Sequence, residues 1–223
     1  MRVAALYSGG KDSTYAVYVA QQRGWDVGAL VSILPEDPAS MLYHVPDLHV
    51  VPLLAEAMGI PLVRERAGAG EGAELEALRR ALTTIDVDAV VVGAIASDYQ
   101  HSRVNGVAHD LGLRVFAPLW RLDQRRLLME YIDAGIEAVF TSVSAEGLGK
   151  EWLGRPLDRP AAEELLELHR RVGLSPCGEG GEFETLVTYA PGFSKRLEIS
   201  RAEPRWDGAS GTYEVHEARL VPP

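Results

Sequence analysis

The 223-residue sequence predicts an α/β fold, an open parallel sheet with helices on both faces, followed by a smaller α+β C-terminal domain. Two observations predict this fold class. Short β-branched runs alternate with helix-like stretches from the N-terminus, giving about five βα units of the kind that build a parallel sheet. After Pro118 that alternation stops and a different pattern follows. We therefore expect two domains, residues 1–122 and residues 123–223.

The elements of the first domain follow from hydrophobic periodicity and from turn residues. Strands are predicted at Val3–Tyr7, Val27–Ile33, Leu62–Glu65, Ala89–Ala94 and Arg114–Ala117. Helices are predicted at Ser13–Arg23, Asp47–Met58, Ala73–Leu82 and Tyr99–Leu111. In the first of these helices, Ala16, Val17 and Ala20 recur at helical spacing and Gly24 supplies a stop signal. Each helix then makes a right-handed crossover between two parallel strands.

The second domain has a mixed pattern of helices and strands. A helix is predicted at Gln124–Asp133, a strand at Ala138–Val143 and, after a glycine-rich loop, a helix at Ala161–Val172. Two further strands, Arg196–Ile199 and Thr212–Leu220, flank a turn rich in Gly, Asp and Ser. This order of elements predicts a small α+β domain.

Composition and charge exclude several classes of function. The formal net charge of −10 argues against nucleic-acid binding, since that affinity comes mainly from Lys and Arg neutralising phosphates. No apolar run approaches the roughly 20 residues of a membrane span, and the N-terminus lacks a signal-peptide pattern. The single cysteine, Cys177, is expected to be packed in the core, and its isolation suits a reducing compartment. We expect a cytoplasmic protein without a membrane partner.

A glycine-rich loop follows the first predicted strand and precedes an amphipathic helix. It consists of Ser8, Gly9, Gly10, Lys11, Asp12 and Ser13. Glycines let backbone amides approach an anion, the helix N-terminus adds partial positive charge, and both serine hydroxyls can donate hydrogen bonds to phosphate oxygens. The spacing does not match G-x-x-x-x-G-K-[ST], so the kinase type of phosphate loop is disfavoured. A tight turn with a capping residue is the structural alternative.

Three other segments carry candidate functional residues. Polar residues follow the fourth predicted strand directly from Gly93 to Arg103, where an open α/β sheet places its ligand crevice. A second loop, after the second strand, contains Ser40, Tyr43 and His44. By themselves these two segments are equally compatible with ordinary turns and surface residues.

The third segment, Pro176–Thr185, is acidic and rich in glycine. It contains three glutamates and three glycines within eight residues, an arrangement that would be unfavourable unless the segment meets a cation. A solvated acidic turn is the alternative. Because concentrated negative charge would repel a triphosphate, we expect this segment to contact a cationic substrate rather than a nucleotide.

The loop Ser8–Ser13 resembles that of the ATP pyrophosphatases, the PP-loop superfamily. Together with the segments around Gly93, with Pro118-Leu119-Trp120 and with the acidic segment, it resembles the diphthine–ammonia ligase family over nearly the whole chain. The resemblance implies an adenine nucleotide α hydrolase-like N-terminal domain that binds ATP and Mg²⁺. It further implies ammonia-dependent amidation of diphthine, a modified histidine of translation elongation factor 2, through an acyl-adenylate. The resemblance is also compatible with a homodimer.

The resemblance assigns roles to individual residues. Expected nucleotide-binding residues are Ser8, Gly9, Gly10, Lys11, Asp12, Ser13, Ser32, Gly93 and Ile95, of which Lys11 and Asp12 are expected to be catalytic. Expected substrate-binding residues are Ser40, Tyr43, His44, Tyr99, Gln100, Arg103, Glu179, Gly181, Glu182, Glu184 and Thr185. Metal ligands are not assigned. A tRNA-modifying adenylating enzyme with the same loop and a non-catalytic nucleotide-sensing module are the alternatives.

Overall fold

The computed structural model describes residues 1–36 and 47–223. In these ranges, the first half of the chain forms one five-stranded sheet in the order β3-β2-β1-β4-β5. The strands are β1 (Arg2–Leu6), β2 (Asp26–Pro35), β3 (Leu62–Ala67), β4 (Ala89–Val91) and β5 (Arg114–Phe116). All neighbouring pairs are parallel, so the predicted open α/β sheet is confirmed.

Helices cover both faces of this sheet, as predicted. They are α1 (Lys11–Gln22), α2 (Val51–Met58), α3 (Glu71–Thr83) and α4 (Asp98–Asp110). Helices α1 and α2 contribute apolar side chains to one core cluster, whereas α3 and α4 contribute theirs to a second cluster. Strand β4 ends at Val91, earlier than predicted, because the chain then turns to bring Gly93 against the start of α1.

The second half of the chain forms a four-stranded antiparallel sheet in the order β7-β6-β9-β8. Its elements are α5 (Gln124–Asp133), β6 (Glu137–Val143), α6 (Arg159–Val172), β7 (Phe183–Tyr189), β8 (Arg196–Trp206) and β9 (Gly211–Val221). Strand β7 was not predicted, because its first residues belong to the acidic segment and do not resemble a strand. The α+β character of this domain is confirmed.

Strand β8 continues well beyond its predicted end at Ile199, to Trp206, whereas β9 matches its prediction to within one residue at each end. The outer half of β8 is held by backbone pairing and by ion pairs across the hairpin, Arg201 with Glu217 and Arg205 with Glu214. Charged cross-strand pairs stabilise a sheet without apolar alternation. Apolar alternation therefore predicts the end of β8 too early.

The two sheets share one hydrophobic core. Val3 and Ala16 of the first half lie in the same cluster as Tyr131, Phe140 and Leu186 of the second half. The contact extends to the backbone, where the amide of Val187 donates to the carbonyl of Gly9 at 2.9 Å. Within residues 1–36 and 47–223, no helix combines the length and apolar character needed to cross a bilayer.

Candidate active site

A cleft of about 550 Å³ opens at the carboxyl ends of β1, β2 and β4. Ligands of open α/β sheets bind at this edge, where the loops that follow the strands converge. Residues from both halves of the chain line it, among them Ser8, Lys11, Asp12, Ser13, Ser32, Gly93, Gln100, Cys177, Glu179, Gly181 and Glu184. The two sequence segments that carry most of the polar residues therefore meet in one cavity.

The loop between β1 and α1 is ordered by its own serine hydroxyls. Gly9 has φ of 85°, a left-handed conformation that glycine adopts without strain. The Ser8 hydroxyl accepts a hydrogen bond from the Gly10 amide at 3.3 Å and lies 3.1 Å from the Ser13 hydroxyl. Helix α1 begins at Lys11, so its N-terminus faces the cleft. This arrangement is suited to an anion.

Gly93 lies against the first turn of α1. A β-carbon at this position would come within 2.9 Å of the Asp12 carbonyl carbon and of the Ser13 amide nitrogen. Only glycine lets the end of β4 approach the loop this closely. The predicted nucleotide contact thus has a structural role as well, since it sets the width of the cleft.

Lys11 is almost completely buried and contacts the second domain. Its ammonium group donates to the Cys177 carbonyl at 2.6 Å and to Asp12 Oδ2 at 3.0 Å, and it lies 5.0 Å from the Phe183 ring centre. Burial, the largest single effect, lowers the pKa of Lys11, but Asp12, Cys177 and Glu184 together outweigh it, so the pKa lies above its usual value. Lys11 therefore stays charged. Contact between Lys11 and phosphate stays a prediction.

The acidic segment places two glutamates in the cleft. Glu179 accepts a hydrogen bond from the Ala96 amide at 2.8 Å, and burial raises its pKa. Burial raises the pKa of Glu184 more strongly, to about 7, although Lys11 partly opposes it. The sequence led us to expect negative charge away from the phosphate loop, yet the structure brings both into one cleft. Lys11 and the partial protonation of Glu184 reduce the repulsion.

Two other residues of this segment support the structure around the cleft. Glu182 does not line the cleft, because its carboxylate accepts hydrogen bonds from the amides of Ser175 and Gly180 at 3.0 and 2.7 Å. The Thr185 hydroxyl, which is buried, accepts from the Lys11 amide at 3.2 Å. These residues hold the segment in place and join it to α1.

The remaining predicted site residues divide into three groups. Ser32 lines the cleft and is buried, and among residues 1–36 and 47–223 its hydroxyl has no hydrogen-bond partner. Ile95 is fully buried and is not among the residues that line the cleft. Tyr99 and Arg103 lie on the outer side of α4, where both contact Glu71, at 2.6 and 2.7 Å. The last group, formed by Ser40, Tyr43 and His44, falls outside the described residues.

The sequence did not reveal two polar residues of α5 that organise the site. Tyr131 donates its hydroxyl to Asp12 Oδ1 at 2.5 Å. The Gln124 side-chain oxygen accepts from the Ser175 hydroxyl at 2.6 Å and from the Cys177 amide at 3.3 Å. Periodicity does place Tyr131 on the buried face of α5, but it carries no information about a partner in another domain. Cys177 is packed as expected, and burial raises its thiol pKa to about 12.

Comparisons with known proteins relate both halves of the chain to one family. The family model described as diphthamide synthase N-terminal domain matches residues 1–115, and that described as diphthamide synthase C-terminal domain matches residues 123–221. A diphthine–ammonia ligase of Bos taurus is 38% identical over 91% of this chain and 84% of its own length. That of Rattus norvegicus is 37% identical over 99% of this chain and 91% of its own length.

Other relatives are longer or more distant. A diphthine–ammonia ligase of Schizosaccharomyces pombe is 37% identical over 91% of this chain, which spans only 37% of that protein. Among solved structures, a predicted subunit of tRNA methyltransferase from Methanocaldococcus jannaschii has 16% identity and a TM-score of 0.44. No function is carried over at that distance.

Proposed function

Because the chain belongs to the diphthamide synthase family, we propose that it is a diphthine–ammonia ligase, which uses ATP and ammonia to amidate diphthine on translation elongation factor 2. The observation that carries the proposal is the meeting of an anion-binding loop and an acidic segment in one cleft. The first suits the triphosphate of ATP, and the second suits the trimethylammonium group of diphthine.

In this proposal, residues 1–122 bind ATP and residues 123–223 bind the diphthine side chain of the substrate. The triphosphate lies on Ser8–Ser13, where Ser8, Ser13 and the N-terminus of α1 line the cleft. The adenine lies between Ser32 and the end of β4. The buried hydroxyl of Ser32 supports this placement, since it has no partner in the described part of the chain and is unfavourable there until a ligand supplies one.

Mg²⁺ would neutralise charge on the phosphates and make pyrophosphate a better leaving group. Among the described residues, no group of three His, Cys, Asp or Glu side chains could form a metal cage. In this proposal, phosphate oxygens and water would supply most of the ligands of the magnesium ion. The Asp12 carboxylate, which faces the cleft, is the candidate protein ligand.

The chemistry proceeds in two steps. An oxygen of the substrate carboxylate attacks the α-phosphorus of ATP, the bond to the β-phosphate oxygen breaks, and pyrophosphate leaves. The nitrogen of ammonia then attacks the acyl carbon of the adenylate, and AMP leaves with the electrons of the broken carbon–oxygen bond while the nitrogen loses a proton. The protein contributes chiefly by positioning the reactants and by stabilising charge.

The acidic segment recognises the substrate. A trimethylammonium group offers no N–H donors, so recognition relies on carboxylate charge and aromatic faces. We assign this role to Glu179, Glu184 and the Phe183 ring, while Glu182 and Thr185 act by holding the segment. We propose that Tyr99 and Arg103, on the outer side of α4, contact the protein part of elongation factor 2. Gln100 and Gly181 line the cleft between these surfaces.

The products of the reaction test the proposal. Purified protein with ATP, ammonium and diphthine-bearing elongation factor 2 should form AMP and pyrophosphate in equal amounts, together with the amidated factor detected by mass spectrometry. Omitting ammonium should stop amide formation. Formation of ADP would contradict the mechanism, and turnover with tRNA instead of the factor would favour the tRNA-modifying alternative. ATP binding without any product would favour a nucleotide-sensing module.

Two further points stay predictions. A cytoplasmic location follows from the proposed substrate, which acts in translation. A homodimer would be detected as a doubled mass in solution by light scattering.

A further inference from the structure

Tyr131 lies behind the cleft rather than in its wall. The residue belongs to α5 in the second half of the chain and is fully buried. Its ring packs edge-on against Tyr15 of α1, with ring centres 5.1 Å apart. Its hydroxyl, however, reaches the first domain and donates to Asp12 Oδ1 at 2.5 Å. A buried tyrosine hydroxyl needs a partner, and here the partner is a residue of the phosphate loop.

Asp12 receives one donor on each carboxylate oxygen. Tyr131 donates to Oδ1, and the Lys11 ammonium donates to Oδ2 at 3.0 Å. Two donors from buried groups hold the plane of the carboxylate, so that it cannot rotate freely about its χ2 torsion. The Asp12 side chain is still 28% exposed and lines the cleft. Its remaining lone pairs therefore face the cleft in one fixed orientation.

The Tyr131 hydroxyl is the donor of this hydrogen bond, because a carboxylate oxygen can only accept. The side chain is fully buried behind the cleft, so its hydroxyl is suited to holding the Asp12 carboxylate.

We infer that Tyr131 is a positioning residue: through its hydroxyl it holds the Asp12 carboxylate in the orientation that adenylation needs, and so makes this step depend on the docking of the second domain. The inference rests on the proposed function, because adenylation is the step that Asp12 would serve. It adds the requirement that the second domain be docked, which the loop Ser8–Ser13 alone would not have. The loop is complete for catalysis only when α5 is packed against α1.

The test compares Tyr131→Phe with Tyr15→Phe. Both substitutions remove one hydroxyl from the same edge-on pair of rings, but the Tyr15 hydroxyl contacts Glu130, at 3.4 Å, and Tyr15 does not line the cleft. We expect Tyr131→Phe to lower kcat for AMP formation about 10- to 100-fold, the usual effect of losing a hydrogen bond to a charged group. KM for ATP and the thermal midpoint should stay near those of Tyr15→Phe, which should keep full activity.

A double-mutant cycle with Asp12→Asn tests whether the effect passes through Asp12. If it does, Tyr131→Phe costs little in the Asp12→Asn background, whereas fully additive losses overturn the inference. Equal kcat for Tyr131→Phe and Tyr15→Phe overturns it as well. Crystal structures give a readout without turnover: Asp12 should keep its rotamer in Tyr15→Phe and lose it in Tyr131→Phe. A wild-type protein that forms no AMP contradicts the proposed function, while these structures still decide the role of Tyr131.

Discussion

At the scale of single residues, burial determines which charges of the cleft exist at neutral pH. Lys11 is buried but has Asp12 beside it, so its pKa is raised and it stays charged. Glu184 is also buried, yet desolvation outweighs the attraction of Lys11 and raises its pKa to about 7. The cleft therefore holds less negative charge than its sequence suggests, which reduces its repulsion of a triphosphate.

Glu184 should make the protein less stable as the pH rises. The folded protein keeps the Glu184 proton up to about pH 7, whereas the unfolded chain loses it near 4.5. Between these values the folded state binds more protons, so the free energy of unfolding falls with rising pH, by about 3 kcal/mol at most. Glu184→Gln should remove this dependence and be the more stable protein at pH 8. Urea unfolding at pH 5 and pH 8 measures this difference in the free energy of unfolding.

The matched control is Glu163→Gln, which changes an exposed glutamate on α6. This variant should follow the wild-type dependence between pH 5 and pH 8. If Glu184→Gln also follows it, Glu184 is ionised in the folded protein, and its charge must be compensated by a group other than Lys11.

At the scale of secondary-structure elements, the cleft depends on how closely β4 approaches α1. The close contact at Gly93 sets this distance, because a β-carbon there would overlap the backbone of Asp12 and Ser13. The connections after β1 and β4 thus form one unit, although they are about 80 residues apart in the sequence.

Gly93→Ala should push these two connections apart. We expect a loss of ATP binding and of turnover, together with about 1–3 kcal/mol of stability, the usual cost of overpacking. Gly106→Ala is the matched control, because a β-carbon at Gly106 would have no atom of the described residues within 4 Å and the residue lies inside α4. It should gain up to about 1 kcal/mol of stability and bind ATP normally. Isothermal titration calorimetry and urea unfolding distinguish the two, and equal ATP affinity would show that the contact at Gly93 does not shape the cleft.

At the scale of the whole molecule, the two domains are parts of one folded body. They share a hydrophobic core cluster, and the Val187 amide bonds to the Gly9 carbonyl in the phosphate loop itself. Lys11, Asp12 and Thr185 add polar contacts across the same boundary, including the hydrogen bond from the Lys11 amide to the Thr185 hydroxyl. Separate domains linked by a flexible segment would lack such a core.

The two domains should therefore unfold in a single transition. Thermal unfolding followed by calorimetry should give equal calorimetric and van't Hoff enthalpies, and far-UV circular dichroism and tryptophan fluorescence should report the same midpoint. ATP should raise this midpoint for the whole chain, because it binds the folded state only. Two resolved transitions, with ATP shifting only one, would mean that the shared core does not couple the domains.

The sequence by itself determined the class of fold, the order of most elements, the position of the glycine-rich loop Ser8–Ser13 and the family, because periodicity, turn residues and contiguous motifs are local properties of the chain. It did not determine strand β7, whose first residues look like an acidic loop, nor the full length of β8, which ion pairs across the hairpin support. Only the tertiary structure decided that Glu179 and Glu184 share a cleft with Ser8–Ser13. It also decided that the Glu182 carboxylate accepts hydrogen bonds from backbone amides and that the Tyr131 hydroxyl donates to Asp12. The physical reason is sequence separation. Lys11 meets the Cys177 carbonyl across 166 residues and Asp12 meets Tyr131 across 119, and contacts of this kind leave no periodic signal.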